Sequence, residues 1–286
     1  LASDSFHAAI PPWTSDWRFG LGIDSTDWAS IWDRQMKRSL LKWEDADFWY
    51  AKTQSPPIGV KTGNYIDELL ARIDISSEFS ILDVGCGNGT ISIPLTKNVR
   101  HVTALDSDPG LLPTLTHKCM SEGISNLRFA NEDWIQARIG IDIESHDIVL
   151  ASRFRRLIPI RKFLEQMNQA ATKLCYLTWI VDREEIDPQI CEILKKEYHS
   201  LPRYDLISNV LSRMEISATV EFFESLDTHR FENENDAIEE AARGYKIESR
   251  EAKERIAALV KSELKQRDGF WWKDTTTKWA LVWWRK

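Results

Sequence analysis

The chain predicts a doubly wound α/β fold, a mostly parallel sheet with helices on both faces, from three observations. Short apolar runs alternate with segments of helical length between residues 81 and 181, and strands that are apolar throughout are buried on both faces. The first run breaks at once into a glycine-rich turn, Leu82-Asp83-Val84-Gly85-Cys86-Gly87-Asn88-Gly89-Thr90. A turn of that kind brings backbone N–H groups and a helix end up to a ligand. Finally, 286 residues suffice for one large apolar interior with helical additions.

Residues 1–25 lack periodicity and read as an irregular arm. From Thr26 onward, Trp28, Ile31, Trp32, Met36, Leu40 and Trp43 recur at three- and four-residue intervals, the apolar stripe of a helix. A second short helix over 45–51 stops at Ser55-Pro56-Pro57. Residues 63–73 predict a helix leading into the sheet. Strands at 81–84, 101–105, 127–130, 147–151 and 174–181 then alternate with helices at 88–95, 111–122 and 161–172. Beyond them the pattern changes to helices at 188–198 and 204–214, a strand at 219–223, helices at 235–243 and 249–267, and a last strand at 279–284. The division expected is an arm and helical lid over 1–60 and a sheet domain over 61–286, with helical insertions at about 185–215 and 234–268.

A net charge of -7 disfavours nucleic acid as the main partner, although a local basic groove is compatible with an acidic total. No stretch is apolar for long enough to span a bilayer as a helix, so no membrane partner is expected. Cys86, Cys119, Cys175 and Cys191 are widely spaced and form no CxxC pair, which fits reduced thiols in a cytoplasmic protein and no metal site. Thirteen tryptophans crowd the two ends, among them Trp13, Trp17, Trp28, Trp32, Trp43 and Trp49, then Trp271, Trp272, Trp279, Trp283 and Trp284. Rings of that size build either a deep core or a pocket wall.

Three acids sharpen the reading of the turn. Asp106 closes the second strand, where a carboxylate can accept both hydroxyls of a ribose. Asp83 precedes the glycines and either holds the turn or reaches an ammonium. Asp133, after the third strand, is placed to accept from an adenine amine, with Trp134 as an apolar edge. A dinucleotide site wants a third glycine where this chain has Thr90, which favours a cofactor without a pyrophosphate.

The run Leu82–Thr90, then Val102-Thr103-Ala104-Leu105-Asp106, Asn131-Glu132-Asp133-Trp134 and His146-Asp147-Ile148-Val149-Leu150-Ala151-Ser152, resembles the class I S-adenosylmethionine-dependent methyltransferases over residues 60–185. The resemblance implies a Rossmann-like seven-stranded sheet with an antiparallel last strand, and S-adenosyl-L-methionine as cofactor. It implies that Gly85 and Gly87 approach the methionine portion, that Asp106 holds the ribose and that Asp133 meets the adenine. The full cofactor set expected is Asp83, Gly85, Cys86, Gly87, Asn88, Asp106, Ser107, Asp133, Trp134 and Ala151.

The Asn-Pro-Pro-Tyr type run of members that methylate adenine or glutamine nitrogen is replaced here by Ala151-Ser152-Arg153-Phe154-Arg155-Arg156. Candidates for acceptor contacts are Trp49, Tyr50, Arg153, Arg155 and Arg156, with Trp28 and Trp32 as lid rings. Arginines there suit a carboxylate or phosphate on the acceptor, and also suit an ion-paired loop. His146 precedes its strand and is expected at the far end from the cofactor. The leading expectation is methylation of a small-molecule acceptor. An RNA methyltransferase using Lys246, Arg250, Lys253 and Lys261, or a noncatalytic cofactor-binding protein, are the alternatives.

Overall fold

The structure, a computed structural model, describes residues 26–40, 58–154, 157–181, 188–195, 200–245 and 247–286. Its elements are α1 (Trp28–Leu40), β1 (Val60–Gly63), α2 (Tyr65–Leu70), β2 (Ser80–Val84), α3 (Ser92–Leu95), β3 (His101–Asp106), α4 (Leu111–Glu122), β4 (Leu127–Asn131) and β5 (His146–Ala151). They continue with α5 (Ile160–Ala170), β6 (Ala171–Ile180), α6 (Pro188–Ile193), α7 (Asp205–Arg213), β7 (Thr219–Phe231), α8 (Glu234–Gly244), α9 (Arg250–Ser262), β8 (Lys265–Arg267) and β9 (Phe270–Arg285). The short helix expected at 45–51 lies outside the described residues.

The strands form one mixed sheet in the order β1-β7-β9-β6-β5-β2-β3-β4, with β8 paired to β9. β4, β3, β2, β5 and β6 are parallel, whereas β9 runs antiparallel between β6 and β7. The expected seven strands are present, including the antiparallel last one, but among the described residues the sheet has nine strands. The two additions, β1 and β8, are exposed at every residue. An edge strand that buries no side chain leaves no period-two signal, so residues 60–63 and 265–267 do not read as strands.

Two apolar layers cover the sheet. Alternation along the strands sends Leu82, Val84, Val149, Ala151, Cys175 and Leu177 to one face, where α1, α5 and α7 pack. Ile81, Ile148, Leu150, Leu174 and Tyr176 line the other, with Tyr65 and Leu69 of α2 and Leu115 of α4. Trp284 and Trp283 fall on opposite faces, as strand geometry requires. The helix expected at 88–95 is reduced to the single turn of α3.

β7 and β9 are far longer than their sequence signals. Phe223 pairs with Trp279, which pairs with Ile180 at the end of β6, yet both long strands continue past that point to Phe231 and Trp271. At ~3.3 Å per residue the ribbon stands roughly 25 Å above the carboxyl edge of the sheet. A third apolar cluster, with Phe231, Ile238, Ala242, Ile256 and Val260 at its centre, fastens α8 and α9 to this ribbon. The inserted helices therefore form a lobe raised above the edge where a doubly wound sheet binds its ligand.

Candidate active site

The glycine turn sits at the carboxyl end of β2. Gly85 has φ 74 and Gly87 φ 55, left-handed conformations that side chains resist. The Gly85 and Cys86 N–H groups donate to the Leu105 carbonyl at 2.8 and 3.0 Å, tying the turn to β3. A Cβ on Gly85 would lie 2.2 Å from the Phe154 ring, whereas one on Gly87 would meet nothing within 4 Å. One glycine is thus required by a neighbour and the other borders open space.

Asp106 closes the crevice on the β3 side. Its carboxylate accepts from Gly87 N–H at 2.9 Å and from Asp108 N–H at 3.1 Å. The side chain is half-buried, and a carboxylate offers about four acceptor positions, so capacity remains for ligand hydroxyls. Asn131 of β4 donates to the Asp106 carbonyl at 2.9 Å and fixes the strand end.

Asp83 is 2% exposed and accepts from Ser92 Oγ at 2.5 Å. Burial raises its carboxyl to about 6; the Ser92 hydroxyl and the Arg153 charge oppose that rise, and nearby Asp106 adds to it. Cys86 is buried, and loss of solvent pushes its thiol up, so it is no nucleophile at neutral pH. Asn88 and Ser107 are exposed at the rim, and Thr90 Oγ1 donates to Asn88 Oδ1.

Asp133 is exposed and accepts from Ile135 N–H at 2.8 Å, so it opens a turn while keeping acceptor capacity. Trp134, expected as an apolar edge for a base, is a core residue instead. It is 2% exposed and edge-on to Phe163, and its carbonyl accepts from Gln166. Ala151 is likewise fully buried, in the layer against α5.

The expected lid rings also turn inward. Trp32 is 0% exposed, donates from Nε1 to the Leu157 carbonyl at 2.8 Å and lies 4.8 Å from the Trp179 ring. Trp28 is half-buried against the same cluster. The stripe meets protein because α5 and α7 offer it an apolar face. Trp49, Tyr50, Arg155 and Arg156 lie outside the described residues, as does Lys246.

Arg153 follows the end of β5, exposed, with φ 52. Beside it is a group that sequence reasoning missed: Tyr65 OH lies 2.7 Å from Ser152 Oγ and 2.8 Å from Thr178 Oγ1. These partners are distant in sequence, so no local pattern could have linked them. His146 stands at the opposite end of the sheet, as expected, beside Thr103 and the Glu144 carbonyl.

Residues 81–173 match the family model described as a methyltransferase domain. That span holds the glycine turn, Asp106, Asp133 and the end of β5. A methyltransferase domain of the kind the sequence motifs resemble thus lies within residues 81–173. The chain is similar to an uncharacterized protein of Haemophilus influenzae, 27% identical over 224 residues, covering 78% of this chain and 82% of that one. It is also similar to a probable ribosomal RNA small subunit methyltransferase A of Methanosphaera stadtmanae, 26% identical over 89 residues, 31% of each protein. A crystal structure from Bacillus halodurans, named as a methyltransferase candidate, shares the fold with a TM-score of 0.54 and 15% identity, covering 78% of this chain and 99% of that one.

The cofactor that the family resemblance implies is S-adenosylmethionine. The open space beside Gly87 and the spare acceptor positions of Asp106 fit it. The expectation that nucleic acid is an unlikely partner is overturned: relatives carrying ribosomal RNA methyltransferase names match parts of the chain, so an acidic total charge does not remove nucleic acid from the acceptor classes.

Proposed function

We propose that the chain transfers a methyl group from S-adenosylmethionine to a small-molecule acceptor by direct in-line displacement. The observation that carries this reading is the Asp106 carboxylate, half-exposed and bonded to Gly87 N–H across the crevice. When bound, the cofactor supplies an electrophilic methyl on a sulfonium. Asp106 accepts the ribose hydroxyls, Asp133 meets the adenine amine, and Asp83 attracts the ammonium of the amino-acid end. Gly85, Cys86, Gly87, Asn88 and Ser107 form the rim against which the cofactor lies. The chain's contribution is alignment and exclusion of water, and an acceptor poised to lose its proton needs no dedicated base.

The raised lobe supports a small acceptor, because the ribbon walls the side of the crevice facing β6. A second reading, RNA as acceptor, is favoured by the names of the ribosomal relatives. Methyl-labelled S-adenosylmethionine offered with a metabolite extract and, separately, with total RNA decides between them. Label in a ribonuclease-resistant small molecule supports the first reading, and ribonuclease-sensitive label replaces it with the second. Asp106→Ala is expected to weaken cofactor affinity about tenfold or more while the chain stays folded. Unchanged affinity would reject the ribose assignment.

A further inference from the structure

Arg153 is an exposed cation mounted with unusual care. Its backbone is left-handed, φ 52, a conformation that a side chain of this type resists. The Arg153 N–H donates to Thr178 Oγ1 at 2.9 Å, and Thr178 is 0% exposed. The guanidinium lies 4.4 Å from the centroid of the Tyr65 ring. That ring is held by Ser152 and Thr178 at its hydroxyl, by Trp279 edge-on at 4.8 Å and by Phe223 at 5.7 Å. Residues from α2, β6, β7 and β9 thus converge to fix one guanidinium at the end of β5, where the next residue, Phe154, packs on Gly85 of the glycine turn.

Among the described residues that charge has no ion-pair partner. Arg72, Arg138 and Arg161 each hold a carboxylate one helical turn away or across a short loop. Among the described residues Arg153 has no carboxylate within ion-pair distance, and its guanidinium contact is the Tyr65 face. Asp83, paired with Leu150 across β2 and β5, lies one residue before the end of the neighbouring strand and feels the Arg153 charge. A buried acid and an exposed, preorganised base therefore flank the same end of the crevice.

We propose that Arg153 binds the α-carboxylate of the cofactor's amino-acid end, Asp83 and Arg153 being opposite poles matched to a zwitterion. This rests on the crevice being the S-adenosylmethionine site, and it moves Arg153 from the acceptor to the cofactor. Arg153 is the binding residue; Tyr65 and Thr178 are positioning residues that hold its planar fork at the angle for a carboxylate.

Titration calorimetry with two probes tests it: S-adenosylhomocysteine, which carries the amino-acid end, and 5′-methylthioadenosine, which lacks it. Arg153→Met is expected to weaken S-adenosylhomocysteine about tenfold and to leave methylthioadenosine within about twofold. Arg153→Lys, which keeps the charge without the fork, falls between Met and the native residue. Tyr65→Phe, which keeps the ring and frees it, costs about threefold on the first probe alone. Equal losses for both probes in Arg153→Met would make the residue structural and overturn the proposal. Unchanged affinity for both would also overturn it, and would leave the guanidinium to an anionic acceptor. If the native chain binds neither probe, the cofactor reading itself fails, a result separate from any Arg153 effect.

Discussion

Asp83 keeps its carboxyl in a site with one hydroxyl donor and almost no water, so its proton is coupled to folding as well as to ligand. Its folded value of about 6 stands above the ordinary 3.8, with burial as the leading cause. The folded state therefore holds the proton more tightly, and this contribution to stability is complete below pH 3.8 and lost as pH rises through about 6. Asp83→Asn removes that loss. The variant is expected to gain stability relative to the native chain between about pH 4 and pH 7, read by urea denaturation at several pH values. A constant difference across that range would place the titration elsewhere. His146 has the opposite sign: burial lowers it from 6.5, so its contribution is present above that value and lost on acidification. At this scale the spacing of glycines and acids made legible that Asp83, Gly87 and Asp106 meet at one end of the sheet. The trio Tyr65, Ser152 and Thr178 was not, since hydroxyls 87 and 113 positions apart meet only after the sheet has formed.

The helix α1 shows what a stripe can and cannot say. Its periodicity predicted that Trp28, Trp32 and Met36 share a face, and the structure buries Trp32 and Met36 there. Whether that face meets ligand or protein is decided by α5 and α7, whose sequences lie more than a hundred positions away. Asp33 adds a second tether, accepting from Ile160 N–H at 2.9 Å where α5 begins. Trp32→Ala is expected to cost ~3–5 kcal/mol, from the cavity and the lost bond to the Leu157 carbonyl. Cofactor affinity measured on the folded fraction is expected to stay unchanged. Denaturation and calorimetry on the same preparation check this pair, and a stable variant with impaired acceptor use would return Trp32 to the pocket. β1 and β8 mark the complementary limit: with every residue exposed, they are specified by backbone pairing to β7 and β9, which a hydropathy pattern does not record.

The whole molecule divides its apolar interior into the two layers on the sheet and the separate cluster of the raised lobe. Elements with their own core open with their own free energy. Ile256→Ala, at a fully buried position of the lobe, is expected to cost ~2–4 kcal/mol there. Hydrogen exchange should then quicken in α8 and α9 while β2, β3 and β5 keep their protection and cofactor still binds. Uniform acceleration through the sheet would show that lobe and sheet unfold as one. The alternating strands were readable because parallel strands advertise burial on both faces; the lobe was readable only as helices, because its placement depends on how far β7 and β9 run past β6.

The insertion of β9 between β6 and β7 also sets an order of assembly. As the nascent chain leaves the ribosome, the glycine turn, Asp106 and the hydroxyl trio are all made before residue 270, yet β6 and β7 cannot join until the strand between them has emerged. Through that interval two long strand edges stand unpaired, the condition under which chains adhere to one another. The half that carries the glycine turn and Asp106 is thus complete first, and the half that carries the raised lobe is closed last, by a single strand acting as keystone.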